Sequence, residues 1–539
     1  MDITRQLKQY YPRTPEEEKT KAYLLEKADM YGAVLLNRES MEFHITTSAL
    51  ILNELQDKVL MVSHNLFQAF TLPGGHADGD ENLLHVAWKE AVEETGITHL
   101  APFSSCILSI DILPVPAHFK RGTAVPSHRH FNITYGFTAV QRQKLKPCKA
   151  ENSAVEWFDI ADIDTKCHEA HMLPVYHKAL DRYFEIELEK KQCYRKIQEP
   201  LLLWYQKCAR PLPWRRDKDP YHIWISEIML QQTRVEAVKV YYDRFIEALP
   251  TINDLACVSE QRLMKLWEGL GYYNRARNLQ KAAKRIVSQY GGVFPTDYAT
   301  ISSLPGIGPY TAGAIASICF EKPIPAVDGN VSRIIARITE CYLPIDTQIM
   351  KKKITEMLRT VYPKKQCGDF TQALMELGAV ICLPHGTPDC DHCPVNQVCL
   401  SHRHSTQLQL PVRQNSAARR VEQRTVFYLT CSRKTAIIKR AHTGLLAGMW
   451  QLPNMLGILS EEEALSVVAQ WGLRPVSLMG KTEKKHIFTH IEWHMTCFYI
   501  ECNHQANSFV WASRRELADQ YALPTAFRIL LPSVCSDDL

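Results

Sequence analysis

The chain has 539 residues, of which 46% are apolar, 22% charged and 9% aromatic, and it carries a net charge of +5. That length suits about three domains of roughly 150 residues each, the apolar content supports real cores, and no apolar run reaches the roughly 18 residues of a membrane span. The charge is uneven: residues 1–190 hold 20 Lys+Arg against 27 Asp+Glu and the remainder 43 against 31, so only the back of the chain suits a polyanionic partner.

Seventeen cysteines, most of them scattered, fit a reducing cytosol better than a disulfide framework. The first thirty residues are charged (Glu16, Glu17, Glu18, Lys19, Lys21) and lack the apolar segment of a signal peptide. After this polar opening, residues 43–52 and 58–62 alternate like strands. The turn-rich stretch Leu72–Glu81 follows, and then a helix is expected over Asn82–Thr95. Glu90, Glu93 and Glu94 stand at i, i+3 and i+4, so their carboxylates share a helix face and repel unless a cation sits among them. Hard oxygen donors of this kind suit Mg²⁺ or Mn²⁺. His118, His128 and His130 fall in a loop-and-strand stretch that could shape a substrate pocket.

Gly75, Glu81, Glu90, Ala91, Glu93, Glu94, Gly96 and Ile97 give this segment its resemblance to the Nudix family. One position departs from the family box, where Lys89 replaces an arginine and cannot copy its hydrogen-bonding fork. The resemblance implies an α/β/α sandwich that hydrolyses a nucleoside diphosphate linked to another group. It places the divalent metal among Gly75, Glu90, Glu93 and Glu94.

From about Tyr194 the pattern becomes helical, over residues 201–209, 226–249, 259–270 and 276–290. The run Lys190-Lys191 reads as a linker after the acidic close of the first domain at Glu185–Glu189. Glu227 is the only acid between Asp219 and Glu236, and its neighbours are Trp224, Ile225, Ile228, Met229 and Leu230. Apolar surroundings disfavour a carboxylate anion and suit a general acid. The plainer alternative is a helix acid or a partner of Arg215 or Arg216. Next, Leu304-Pro-Gly-Ile-Gly-Pro-Tyr-Thr combines two glycines, Gly306 and Gly308, with a helix start, a shape that lets backbone N–H groups grip phosphate. It resembles the helix-hairpin-helix of DNA glycosylases. Asp328 precedes a further helix, where it could simply be an N-cap. With Glu227 it makes a pair of carboxylates in different environments, one suited to protonating a leaving base and one to stabilising a sugar cation. Cys382, Cys390, Cys393 and Cys399, spaced C-x7-C-x2-C-x5-C, point to a bound metal, and spacing alone leaves zinc and an iron–sulfur cluster open.

Residues 195–400 resemble the MutY-type adenine DNA glycosylases. The family usually has six residues in the first cysteine gap, so the seventh reads as a loop extension around His385-Gly386. The resemblance implies a [4Fe–4S] cluster on the four cysteines. It also implies that Glu227 protonates the adenine, Asp328 stabilises the sugar cation and Asn330 orients Asp328. Leu212, Trp214, Arg215, Leu230 and Gln372 would line the pocket for the extruded base. Gln231, Gln232 and Tyr272 would fill the gap left in the stack. Tyr310 stands where strand-cutting relatives carry a Schiff-base lysine, so base release without efficient strand cleavage is expected.

Residues 401–423 read as a basic connector. Strand-like segments follow, and residues 444–453 echo Phe70-Thr-Leu-Pro73, which suggests a second Nudix-type fold. Its acids, Glu461, Glu462 and Glu463, are consecutive, so no catalytic metal is expected there. Residues 486–490 resemble the loop with which the family's C-terminal domain reads 8-oxoguanine, with Phe488, Thr489 and His490 as contacts.

The expected fold class is therefore multidomain α+β. An N-terminal Nudix α/β/α sandwich (1–190) precedes an all-α helix-hairpin-helix iron–sulfur glycosylase core (194–400), a linker (401–423) and a C-terminal Nudix-like α/β domain (424–539). The expected function is hydrolytic release of adenine from double-stranded DNA opposite 8-oxoguanine or guanine, by a cytoplasmic, nucleoid-associated monomer without membrane contact. A nucleoside diphosphate derivative is the expected ligand of the N-terminal domain. Two rival readings are an oxidised-pyrimidine glycosylase/lyase and a non-catalytic lesion binder that uses its Nudix fold for docking.

Overall fold

The computed structural model describes residues 3–38, 42–65, 68–120, 123–149, 152–414, 419–441 and 443–532, with the side chains of 118–124 left aside, so His118 lies outside the described side chains. Two compact units form, each discontinuous in sequence. One comprises Met1–Lys207, Val327–Val361 and Gln372–Gln414, and the other Cys208–Ala326, Tyr362–Thr371 and Asn415–Leu539.

The first unit is built on β1 (Phe43–Asn53), β2 (Lys58–His64), β3 (Ala69–Thr71), β4 (Gly74–His76), β5 (Leu100–Val115), β6 (His118–Lys120), β7 (Thr123–Val125), β8 (His128–Ala139) and β9 (Asn152–Asp159). Its sheet runs β3-β2-β1-β8-β5, with β4 also on β1 and β9 on β2, while β6 and β7 form a separate hairpin. The central pair β1/β8 is parallel, setting Ile45 opposite Phe131 and Ile51 opposite Phe137. Parallel pairs need cover on both faces, and both are covered. On one face the helix Leu83–Thr95 packs Leu83, Ala87 and Ala91 with Ile45, Phe131 and Ile133. On the other, Tyr176, Ala179 and Tyr183 of the helix Leu173–Arg195 pack with Leu50, Leu52 and Leu108. The Asn82 side chain caps the first of these helices, and Gly96, at φ 68, ends it in the left-handed conformation.

Two expectations about connectors are corrected. Lys190 and Lys191 sit inside the continuous helix Leu173–Arg195 rather than in a linker. Lys190 is buried, its Nζ donates to the Phe103 carbonyl, and it stands 3.6 Å from the Phe103 ring centre. Those partners compensate a buried ammonium, which a charge run in the sequence does not disclose. Residues 401–414 are also packed rather than free. Leu410 is buried with its carbonyl accepting from Arg337 Nε at 3.0 Å, and Ile345 N donates to Val412 O at 3.1 Å. In the same unit Glu340 is fully buried and accepts from Ser104, Ser105, His404 and Thr406 at 2.7–3.0 Å, which ties β5 to the segment after the cysteines.

The second unit begins with helices, among them Pro220–Leu230, Val235–Ala248, Glu260–Leu266, Asn274–Tyr290 and Pro309–Phe320. The single helix expected over 226–249 is broken, because Gln232 adopts φ 59 and a corner separates Leu230 from Val235. Apolar periodicity runs on through that corner and hides it. The unit's sheet comprises β10 (Arg420–Cys431), β11 (Lys434–Lys439), β12 (Trp450–Gln451), β13 (Asn454–Leu456), β14 (Pro475–Ile487), β15 (Ile491–Cys502) and β16 (Val510–Ser513). It runs β12-β11-β10-β15-β14, with β13 on β10 and β16 on β11. Among the described residues no helix is long and apolar enough to cross a membrane.

Candidate active sites

In the second unit, Asp219 caps the helix Pro220–Leu230 by accepting from Tyr221 N, and a proline in the first turn presets its backbone. The helix is buried almost all round, and it carries Glu227 inward at 5% exposure among Trp224, Ile225, Ile228 and Met229. Tyr310, from the first turn of the helix Pro309–Phe320, donates its hydroxyl to Glu227 Oε2 at 2.7 Å. The residue that marks the absence of a Schiff-base lysine is thus also the carboxyl group's neighbour. Before that helix, Gly306 has φ 78, and a Cβ there would stand 2.6 Å from the Asn278 Cβ, so only glycine fits the turn. The space around a Cβ at Gly308 is open. A cavity of about 100 Å³ lies against this turn, lined by Trp224, Ile228, Gln231, Arg275 and Asn278. Leu212 and Trp214 are buried in the same unit, Leu230 is half-buried, and Arg215 Nη1 donates to Arg210 O at 3.2 Å.

Gln231 and Gln232 form the corner after the Glu227 helix, and Gln231 Nε2 reaches Thr311 Oγ1 at 3.5 Å. Tyr272 occupies a second corner at φ 48 and is 49% exposed, whereas Tyr273 is buried. An exposed aromatic in a left-handed conformation is costly and gains nothing from burial in the protein itself. Arg275, which the sequence reading missed, holds both corners. Its Nη1 donates to the carbonyls of Ile228, Met229 and Gln231, and its Nη2 to those of Leu270 and Gly271, all at 2.7–3.1 Å. Burial pulls its pKa down to about 10, which leaves it cationic at neutral pH. No spacing rule singles it out, since an arginine in a basic helix looks like a solvated charge.

The loop expected to read the opposite strand joins β14 to β15 of the C-terminal sheet. Phe488 packs edge-on against Trp493, with ring centres 4.8 Å apart, and Thr489 and His490 are exposed. The Thr489 hydroxyl lies 3.0 Å from the Tyr272 hydroxyl, so one bond joins the two residues expected to meet DNA from opposite strands. In the same domain Glu463 forms a capping box with Ser460, and Glu461 pairs with Lys481.

In the first unit, Asp328 is the N-cap of the helix Gly329–Ile338 and also the head of a polar chain. Its Oδ1 accepts from Val331 N at 2.7 Å and its Oδ2 from Asn330 Nδ2 at 3.1 Å. Asn330 Oδ1 accepts from Arg333 Nη2 at 3.0 Å, and Arg333 Nε donates to Cys382 O at 2.8 Å. Burial pushes the Asp328 carboxyl above its ordinary range, opposed by the Val331 and Asn330 amides, the Arg333 charge and the Asn330 side chain. Gln372 Oε1 accepts from the Tyr205 hydroxyl at 2.9 Å.

The four cysteines line one cavity, with Arg337, Leu377 and Ile381 among its walls, and all four are free of disulfides. Arg337, almost fully buried, points Nη1 at Cys382 Sγ at 3.2 Å. As free thiols Cys393 and Cys399 are pushed up to about 12 by burial, a cost that metal coordination would reverse by holding thiolates. Among the described residues, the donor sets gathered within 4.8 Å are His44–His76–His130 and Cys106–Glu340–His404, so no three of the cysteine sulfurs lie that close to one another. One zinc ion at about 2.3 Å from each sulfur would bring them within about 3.8 Å of one another. The donor set itself, four thiols lining one cavity, fits a thiolate-bound metal centre. The first gap forms an exposed loop over Pro384–Thr387, and Asp389 N closes it on Ile381 O at 3.2 Å.

In the N-terminal sandwich, a Cβ on Gly75 would lie 2.4 Å from the Glu90 carboxyl, so glycine alone lets that side chain lie against β4. Glu94 is buried, Glu90 half-buried and Glu93 exposed, with Lys89 Nζ 3.8 Å from Glu93. The three acids thus do not share one environment, and among the described residues they are not drawn within 4.8 Å of one another. Lys89 faces water beside Glu93, and the family's bracing fork is absent there.

Residues 225–363 match the model of the HhH-GPD superfamily base excision DNA repair proteins, and residues 42–179 and 425–533 each match a NUDIX domain. The adenine DNA glycosylase of Rattus norvegicus is 31% identical over 396 residues, covering 61% of this chain and 77% of its own. That of Mus musculus is 33% identical over 350 residues, covering 54% and 68%. That of Buchnera aphidicola is 33% identical over 308 residues, covering 57% and 86%. This chain belongs to the adenine DNA glycosylase family and carries, in addition, a Nudix domain ahead of its base-excision core.

Proposed function

We propose that this protein releases adenine by hydrolysis from double-stranded DNA, opposite 8-oxoguanine or guanine, without cutting the strand. The carrying observation is the buried Glu227 held by Tyr310. In this reading Glu227 delivers a proton to the adenine ring, the N-glycosidic bond breaks, and the bonding electrons leave with the base. The Asp328 carboxylate, oriented by Asn330, stabilises the oxocarbenium-like sugar. Water then adds to the sugar carbon and gives up a proton to the carboxylate left on Glu227. A positioned acid is worth about 10²–10⁴ in rate, and a fixed anion beside the cation several kcal/mol more. Tyr272, with Gln231 and Gln232, would fill the stack while Leu212, Trp214, Arg215, Leu230 and Gln372 enclose the base. Phe488, Thr489 and His490 would read the opposite strand, and Gly306 and Gly308 would grip the backbone. Cys382, Cys390, Cys393 and Cys399 would hold a [4Fe–4S] cluster, which when bound supplies a four-point cross-link for that loop.

The N-terminal domain is read as a Nudix pyrophosphohydrolase acting on a nucleoside diphosphate derivative, with Mg²⁺ or Mn²⁺ among Gly75, Glu90, Glu93 and Glu94. Exposed Lys89 makes it a slow one. The whole would work as a monomer in the cytoplasm, at the DNA. Product analysis on an adenine:8-oxoguanine duplex tests the glycosylase reading. Free adenine and a strand that breaks only on added alkali are expected. Strand scission without alkali, or release of an oxidised pyrimidine instead, would overturn it.

A further inference from the structure

A second feature of the N-terminal sandwich lies apart from the box helix. On β1 His44 stands in register with His130 of β8, and His76 of β4 stands opposite Thr46, two residues along β1. Strand alternation puts His44, Thr46, His76 and His130 on one face of the sheet, while Ile45, Phe131 and Ile133 take the face packed by the box helix. Ring nitrogens of His44, His76 and His130 all lie within 4.8 Å of one another. Their ring centres are 4.8, 4.8 and 5.0 Å apart. His128 adds a fourth ring, 4.9 Å from His44 and 5.0 Å from His130.

Protonated imidazoles would repel in such a group, so neutral rings with converging lone pairs are the form that can gather. A tetrahedral ion bound to imidazole nitrogens at about 2.0–2.1 Å sets those nitrogens about 3.4 Å apart and the ring centres about 5 Å apart. The observed ring spacing matches. His128 also shows the outer-shell arrangement of a ligating histidine: its Nδ1 lies 2.9 Å from the Pro126 carbonyl, to which it donates. That tautomer leaves Nε2 as the acceptor of a 3.2 Å hydrogen bond from His130 Nε2, whose proton a bound ion would replace.

We propose that His44, His76 and His130, with the His128 ring packed beside them, form a site for a divalent ion of the zinc type. Imidazole donors favour such ions over Mg²⁺, so this site is chemically distinct from the carboxylates of the box helix. The ion would clamp β1, β4 and β8 together immediately beside Gly75. The site does not depend on the Nudix reading, because binding can be measured without any nucleotide.

The test uses the full chain with its cysteine cluster intact and Co²⁺ as the probe, in wild type and in His76→Gln and His130→Gln. One Co²⁺ per chain is expected in wild type, giving a visible d–d band without a thiolate-to-cobalt charge-transfer band. Both variants should lose it by at least about 100-fold in affinity while keeping adenine release. A wild-type melting temperature that rises with Zn²⁺ and falls back with chelator is the companion readout if a variant folds poorly. Equal uptake by the variants, a thiolate band alone, or a melting temperature indifferent to Zn²⁺ would overturn the proposal.

Discussion

The N-terminal and C-terminal sheets have the same connectivity: β3-β2-β1-β8-β5 and β12-β11-β10-β15-β14, each with one short strand added to its first strand and one longer strand added to its second. The match extends to single bonds. Ala49 N donates to Pro73 O, and Phe427 N donates to Pro453 O, both at 2.8 Å. Yet the following helices are put to different uses. The helix Leu83–Thr95 places Glu90 against Gly75 and buries Glu94, whereas the helix Glu461–Gln470 spends Glu463 on its own cap. The connection before the last central strand differs too, since it holds the β6–β7 hairpin in one domain and the tight Phe488–His490 loop in the other. In the proposed reading, a common frame therefore carries hydrolytic chemistry in one copy and DNA contacts from a loop in the other.

The largest effect that sharpens this contrast is expected from Glu90→Gln. In the proposed role of Glu90 as a metal ligand, losing its carboxylate costs several kcal/mol of transition-state stabilisation, so nucleotide hydrolysis with Mg²⁺ or Mn²⁺ should fall more than about 100-fold. Adenine release should be untouched, and a parallel loss would break the assignment of separate roles. Thr489→Val removes the hydroxyl facing Tyr272. A hydrogen bond of about 0.5–1.5 kcal/mol corresponds to a factor of about 2–10 in the preference for 8-oxoguanine over guanine opposite the target. An unchanged ratio in single-turnover assays would mean that the loop does not read the partner base.

A smaller effect concerns pH. Burial raises the Asp328 pKa, so its working anion is lost as pH falls through that raised value, and the Asn330 hydrogen bond counteracts the rise. Asn330→Ala should therefore move the acid limb of adenine release to higher pH. A limb that stays put or moves down would remove Asn330 from its orienting role. The smallest effect is Ser460→Ala, which should cost about 1 kcal/mol in chemical unfolding through the lost cap and leave both activities intact.

Much of this was legible in the chain because it is written in local chemistry. The helix Leu83–Thr95 follows from its box spacing, β1 from its alternation, and the cysteine cage from C-x2-C spacing. The Gln232 corner was not legible. Gln232 breaks a helical stretch through left-handed backbone that no glycine announces, and Arg275 acts through five carbonyls that only the fold brings together. Lys190 and residues 401–414 looked like solvated connectors because charge was visible and their buried partners, distant in sequence, were not. The histidine cluster shows the same limit: His44, His76 and His130 are scattered in sequence and meet only through sheet register.

The most direct measurement is single-turnover adenine release by Glu227→Gln on an adenine:8-oxoguanine duplex, paired with duplex affinity. Loss of release by at least about 100-fold, with affinity within a few-fold of wild type, is the predicted result for an amide that cannot give up a proton. Release within a few-fold of wild type would contradict a proton delivered from this buried side chain.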